Sequence, residues 1–560
     1  MTWTQVYDPL GHWWLSTLVA ALPIVVLLGL LAGFKVRAHF CAIAGAATAV
    51  LCAIFVFGMP ARLAVTSFFY GAAFGLLKIV WIVIAAVFLY NISVETGQFE
   101  IMKHSVAAIT PDRRLQLLLV AFCFGAFIEG AAGFGSPVAI AGAFMIGLGF
   151  KPFHAAALNL IANTAPVAWG SIGTPVHVLA AVSALPESDL NAMIGRILPI
   201  TAIIVPFWLV RTMVSWAETL EVLPAILVVG ISFAGTQFFW SNYMDSNLVD
   251  IAAAVVSMLA TLIFLRVWQP RKIWRFEEER EEDAAKLARK EAAKQYTNGQ
   301  VARAWMPFAI LSLFVLVWGL PSIKTAMGKA TTPAFSAGGW DVPYLHRAVS
   351  RAQPVVMKPT PENAKFDFNW LTAVGTSCFL AALLAGAILG LSVREMAQIF
   401  ARTLFRMRHA IVAMSCMLGL GYVTRYSGMD AVLGLAFTRT SWLFPFFGTY
   451  IGWLGVALTG SDTSSNAIFG SLQRITAEQL HLSPILMCAT NSAGGVMGKM
   501  VDAQSICIAT AATNQVGNEG AIFRFVFWHS VALAAIVGLI VMLYAYVFPQ
   551  FIAHGLTFVH

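Results

Sequence analysis

Fourteen apolar segments constrain what this chain can fold into. They fall at 13–33, 39–57, 63–91, 115–150, 155–185, 190–211, 222–240, 249–268, 304–320, 369–391, 409–423, 444–480, 484–513 and 525–549. The run "LSTLVAALPIVVLLGLLAGF" (15–34) already exceeds the ~18 apolar residues a membrane-crossing helix requires. The chain is 59% hydrophobic and 11% charged, with a mean hydropathy of +0.78; soluble domains run near 45–50% and 25%. An all-α polytopic membrane protein is expected. The N-terminal "MTWTQVYDPLGHWW" lacks the basic start of a cleaved signal, so the first run reads as a retained helix. The net charge of +8 does not point to nucleic acid, because most Lys and Arg lie between apolar segments, where they set orientation. Seven scattered cysteines without a C-x-x-C read as small apolar residues, and no metal or cofactor is expected.

Two apolar segments are interrupted. Segment 115–150 contains "GAAGFGSP" (130–137), and 444–480 contains "TGSDTSSN" (459–466), eight residues without a large apolar side chain. Each interruption leaves arms of about 13–15 residues, which at 1.5 Å per residue reach only ~22 Å of the ~30 Å hydrocarbon core. Two re-entrant hairpins are therefore expected; two tilted helices joined in water remain the alternative. The interruptions correspond: Gly97 and Gly428 are 331 apart, as are Glu129 and Gly460, while Pro152/Pro484 and Asn159/Asn491 are 332 apart. Counting crossings with the N-terminus outside puts the loops around Lys35, Lys103, Lys151, 266–303 and 392–408 in the cytoplasm, as the positive-inside rule requires. Loop 321–368, with six Lys/Arg, falls outside against that rule. The count gives about 12 transmembrane helices plus the two hairpins, both termini periplasmic, and two inverted repeats. The expected units are 1–212, the first repeat with hairpin 115–150; 213–303, two linking helices and the charged loop 270–303; and 304–560, the second repeat with hairpin 444–480.

The polar residues inside these segments are the candidate site. An Asp at the bilayer centre costs about 2.5–3.5 kcal/mol, so Asp462 should face a polar cavity or a partner. Ser464, Ser465 and Asn466, with the backbone N–H groups of the helix they open, would form a socket for a carboxylate. Gly133, Gly135 and Ser136 would let a ligand approach the first tip. Each hairpin is followed by a second element that cannot be an unbroken helix: "LNLIANTAPVAWGSIGTP" (158–175), with Asn163 and Thr164, and "ATNSAGGVMGKMVDAQS" (489–505), with Asn491, Lys499 and Asp502. Discontinuous helices converging at the midplane make a transporter site. Glu129, Asp462 and Asp502 are candidate proton carriers. Glu129 is alternatively one half of a permanent ion pair with Lys78 or Lys499, and Lys499 is alternatively the cation that meets a substrate carboxylate.

The stretches "FCFGAFIEGAAGFGSPVAI", "NTAPVAWG" and "GWLGVALTGSDTSSNAIFGSLQ" resemble the L-lactate permease family, which includes glycolate permeases. The resemblance runs over nearly the whole chain. It implies a bacterial inner-membrane protein, not an enzyme, carrying L-lactate, D-lactate or glycolate inward with H⁺, and a fold with opposed hairpins. The chain departs from the family pattern at Lys78, Ser136 and Asp502, where the pattern has proline, alanine and "MISPQS" in place of "MVDAQS". The expected partners are a small carboxylate, H⁺ and the lipid bilayer. Na⁺ coupling or exchange of another anion is the alternative, a membrane-embedded enzyme a more distant one. The sequence leaves the oligomeric state open.

Overall fold

A computed structural model describes residues 2–30, 36–107, 109–131, 133, 135–276, 296–319, 321–331, 339–355, 359–366, 368, 370–513, 515 and 518–553. Most of the charged loop 270–303 (residues 277–295) and the side chains of Lys78 and Ser136 lie outside the described residues. The architecture is helical, as the apolar periodicity requires, with only a few short strands. Among the described residues five helices are long and apolar enough to cross a membrane: Arg113–Ala131, Glu187–Met213, Leu223–Tyr243, Val249–Val267 and Glu519–Tyr546. A sixth span arises if Pro152–Ala162 and Val167–Ser183, bent by 64° at their junction, count as one. Shorter apolar helices include Trp13–Leu27, His39–Phe55, Ala61–Leu77 and Gly375–Ile388. The chain is a multi-pass membrane protein.

Element order runs twice through the same series. A continuous helical stretch over 61–95 is followed by Gly97 at φ +73°, helix Gln98–Ala107, helix Arg113–Ala131, helix Ser136–Gly147 and the bent pair. Helix Val393–Ser427 is followed by Gly428 at φ +84°, Met429–Phe437, Phe444–Thr459, Asp462–Gln479, and then Pro484–Gly498 and Ala503–Ala512. Both glycines occupy the left-handed region at the same place in the series, which only glycine enters without strain.

The helices flanking the interruptions are longer than the short arms expected. Arg113–Ala131 has 19 residues, and Phe444–Thr459 and Asp462–Gln479 have 16 and 18; only Ser136–Gly147, with 12, is as short as the sequence suggested. The reason is visible at 112–114. Two arginines would normally end an apolar segment, yet Asp112 caps the helix by accepting from the Arg114 N–H at 2.9 Å. Asp112 and Glu221 then bracket the Arg114 guanidinium at 2.8 and 2.9 Å. The arm is wholly buried in protein, so no charge meets lipid.

Trp3–Thr4 pairs in parallel with Val349–Arg351, which places the N-terminus and the 339–368 connection on one face of the molecule. The C-terminal end joins them: Arg439 lies over the Trp13 ring, and the Tyr546 hydroxyl donates to the Trp442 carbonyl at 2.9 Å. The connection is fastened by a buried charge cluster, with Glu362 held between Arg351 and Arg425, the latter at 3.1 Å. Burial pushes the Glu362 carboxyl up, but Arg425 and Arg351 outweigh it and hold the group below the ordinary glutamate value. A depressed carboxyl contributes stability that is complete above its unfolded value and lost as pH falls through the folded one. Glu362→Gln leaves two largely buried cations without their carboxylate and is expected to destabilise the protein by about 2 kcal/mol at neutral pH, less than for a fully buried pair. In melts of detergent-purified protein, the wild type should lose this increment only on acidification below about pH 4.5, the ordinary carboxylate range, and the variant should lack that component.

Candidate functional site

The site begins where helices stop. Arg113–Ala131 ends in "FIEGA", and the chain turns back through Gly133 (φ +60°) and Gly135 (φ +78°) into Ser136–Gly147, with Pro137 in its first turn. A Cβ on Gly133 would lie 2.2 Å from the Ser171 hydroxyl, so this turn sits directly against the break in the next element. There Pro152–Ala162 stops at Asn163 and Thr164. The chain passes a single 3₁₀ turn, Val167–Trp169, and then takes positive φ at Ser171, Ile172 and Gly173 before helix resumes to Ser183. The unwinding expected from "NTAP" and "GSIGTP" is present.

The second series is built alike. Phe444–Thr459 ends at Gly460, in the left-handed conformation at φ +72°. Ser461 caps the returning helix, its hydroxyl accepting from the Ser464 N–H, and Asp462 stands in the first turn. Pro484–Gly498 passes through the 3₁₀ turn Lys499–Val501 to Asp502, whose carboxylate caps Ala503–Ala512 by accepting from the Ser505 N–H at 2.7 Å. The two series interlock. Gly170–Ser183 packs along Asp462–Gln479, joined by Asn466 Nδ2 to the Pro175 carbonyl at 3.2 Å and Arg474 to the Ser183 carbonyl at 2.6 Å. Reciprocally, Ala503–Ala512 packs along Ser136–Gly147.

The predicted residues meet in the interior, with different partners from those expected. Glu129, Asp462, Asp502 and Lys499 are all buried, none more than 5% exposed. Lys499 is held within the second series: its ammonium donates to the Gly460 carbonyl and lies 3.6 Å from Asp502, and its charge reaches Asp462 and Glu129. Asp462 accepts from the Ser492 hydroxyl and from Asn466 at 3.3 Å. The Ser464–Asn466 socket is largely occupied by the protein itself, because Asn491 donates to Asn466 at 2.9 Å and to Ser465 at 3.4 Å. Asn159 crosses to the Val138 carbonyl at 2.8 Å, so both corresponding asparagines brace a returning helix. Thr164 turns inward on its own helix, donating to the Ile161 carbonyl. Asn163 differs, since its amide makes no bond to the second series and the partner it lies against is the Glu129 carboxylate. One acid was missed: Asp250, 1% exposed at the start of Val249–Val267, faces Glu129. In "SNLVDIAAAV" it reads as an ordinary first-turn acid; only the packing of that helix on Arg113–Ala131 buries it.

Two glycines at the break are expected to respond oppositely to alanine. A Cβ on Gly173 would lie 2.2 Å from the Ser246 carbonyl, a backbone atom, at φ +70°. Gly173→Ala should cost roughly 2 kcal/mol or more in a thermal melt. A Cβ on Gly170, at φ −56°, would meet only the Glu129 carboxylate end at 2.3 Å. Gly170→Ala should move that side chain and change stability by less than about 1 kcal/mol.

A family model described as L-lactate permease matches residues 16–548. Glycolate permease GlcA of Escherichia coli (strain K12) is 45% identical over 556 residues, covering 98% of this chain and 99% of that one. The L-lactate permease of the same strain is 44% identical over 553 residues, with coverage of 97% and 98%. The L-lactate permease of Bacillus subtilis (strain 168) is 41% identical over 572 residues, with coverage of 99% and 100%. Identity at this level over the full length, with the broken helices in the segments that carry the shared motifs, leaves one assignment: the chain belongs to the L-lactate permease family.

Proposed function

We propose that this protein is a secondary transporter that imports a small 2-hydroxymonocarboxylate, L-lactate with D-lactate or glycolate, together with one proton across the bacterial inner membrane. The observation that carries the reading is the burial of Glu129, Asp462 and Lys499 at the breaks of both helical series, Glu129 against Gly170 and Lys499 on the Gly460 carbonyl two residues from Asp462. Relatives named for L-lactate and glycolate supply the substrate class. The architecture read here has about 12 crossings, re-entrant hairpins at 115–150 and 444–480, inverted repeats over 1–212 and 304–560 joined by 213–303, and periplasmic termini. The recurring element order and the shared face of both termini support it.

In this reading the substrate carboxylate lies near Lys499, between the tips at Gly133–Ser136 and Ser464–Asn466. Asn163, beside the Glu129 carboxylate, takes the substrate hydroxyl ahead of Asn491, which is bound to Asn466 and Ser465. Glu129 carries the proton ahead of Asp462 and Asp502, because those two stand in the first turn and at the cap of resuming helices, whereas Glu129 lies in the last turn of Arg113–Ala131, where the helix dipole opposes a carboxylate. An anion entering alone against an inside-negative potential loses about 2.3 kcal/mol per 100 mV, and a co-transported proton cancels that cost. A second reading is Na⁺ coupling, for which Ser505 Oγ, buried without a hydrogen-bond partner among the described residues, is an oxygen of the kind a hard cation takes; Asp502 Oδ2 beside it already faces the Lys499 ammonium at 3.6 Å.

Proteoliposomes with the outside one pH unit more acid should accumulate labelled lactate about tenfold, because one proton per anion transmits that gradient in full. A potassium-valinomycin potential should add nothing, since the pair is neutral. Glu129→Gln should bring accumulation to about unity while lactate counterflow persists. Accumulation that follows a Na⁺ gradient instead overturns proton symport, and unimpaired accumulation by Glu129→Gln removes that residue from the role.

A further inference from the structure

We infer that Asp250 and Glu129 form one proton-holding carboxyl pair, and that a substrate anion loads it by competing for Lys499. The inference rests on the symport reading above and says where the proton resides. Asp250 is not needed where it stands. The turn that leads into Val249–Val267 is already held by Asp245, whose carboxylate accepts from the N–H groups of Asn247 at 2.8 Å and Leu248 at 3.1 Å. An acid in the first turn gains modestly from the helix dipole at an exposed site. Burial to 1% exposure with both oxygens lacking a hydrogen-bond partner among the described residues costs more than that gain.

The backbone holds the two acids together. Gly130, directly after Glu129, packs against Asp250: a Cβ there would lie 2.8 Å from the Asp250 Cβ and 3.1 Å from the Ile251 N. Asp250 bears on Glu129, and Glu129 Oε2 has no hydrogen-bond partner among the described residues. The other groups around the pair are few. The Asn163 amide and Lys499 face Glu129; Lys499, from the 3₁₀ turn after Pro484–Gly498, also lies 3.6 Å from Asp502 and near Asp462. Asp245 precedes Asp250 on its own turn and is faced by His177, which meets Glu187 at 3.0 Å and Asn247 at 2.9 Å. Leu223–Tyr243, packed along the Asp250 helix, brings the neutral Gln237.

Like charges in one dry site cannot both persist, so the pair carries one negative charge and one proton, with Lys499 as countercharge. An arriving carboxylate takes over Lys499. The pair, deprived of its cation, binds one further proton, and both carboxyls are then neutral. One H⁺ enters with one anion, and net charge is unchanged at each stage. Release of the anion returns Lys499 to the pair and expels the proton. Coupling then follows from charge balance at a single ammonium.

The test uses full-length protein in detergent and in liposomes, with lactate as the probe. Wild type should take up about one proton per lactate bound in weakly buffered solution, read with a pH dye, and lactate should increase the carboxylic-acid C=O band in infrared difference spectra. Asp250→Asn, or Asp250→Ser should the first not fold, should lose that uptake and band, and should drop pH-driven accumulation from about tenfold per unit to about unity, with counterflow reduced far less. Asp250→Glu should restore uptake. The double variant with Glu129→Gln should be no worse coupled than either single variant. Full proton uptake and accumulation in Asp250→Asn, or loss of counterflow in parallel with accumulation, overturns the pair. A wild type that neither binds nor moves lactate overturns the symport reading instead.

Discussion

A helix that ends inside a protein's apolar interior leaves N–H and C=O groups without intrahelical partners, and the apolar surroundings supply none. The interior of this protein is organised around meeting that demand. Ser461 and Asp502 satisfy N–H groups where helices resume, Gly135 and Gly460 make turns in the left-handed region, and Lys499 takes the Gly460 carbonyl. Each device needs a small or polar residue at depth. The residues that make the breaks tolerable are therefore the ones that could hold an anion and a proton. The reciprocal packing of Gly170–Ser183 on Asp462–Gln479 and of Ala503–Ala512 on Ser136–Gly147 then encloses them, so the cost of each break is offset by partners from the other series.

That demand also decides what a reader of the sequence can see. The breaks were legible because Gly, Pro, Asn and Thr have no other reason to cluster in apolar runs, and the pairs Asn159/Asn491 and Pro152/Pro484 occupy matching places in the structure. Lengths were less legible. Arg113 and Arg114 look like the end of a segment; they extend it because Asp112 and Glu221, the second more than 100 residues away, neutralise Arg114. The residue types around Ser464–Asn466 were legible as polar, but their mutual bonding through Asn491 depends on the packing of two helices that no local pattern encodes. Asp250 was missed for the same reason.

The buried acids are not equivalent, and helix polarity separates them. Asp462 and Asp502 stand at helix N-termini, where the backbone dipole supports a negative charge, by up to ~2 kcal/mol in buried settings. Lys499 sits at the Gly460 carbonyl, the C-terminal end of Phe444–Thr459, where the dipole supports a positive one. Asp502 caps its helix, and Asp462 is held in its first turn by Ser492 and Asn466. Glu129 has the opposite setting: it lies in the last turn of Arg113–Ala131, where the dipole opposes a carboxylate, and Oε2 has no donor among the described residues. What sustains a negative charge there is Lys499, shared with Asp462 and Asp502. A carboxyl dependent on one shared cation is the group whose protonation an anion competing for that cation can change most directly.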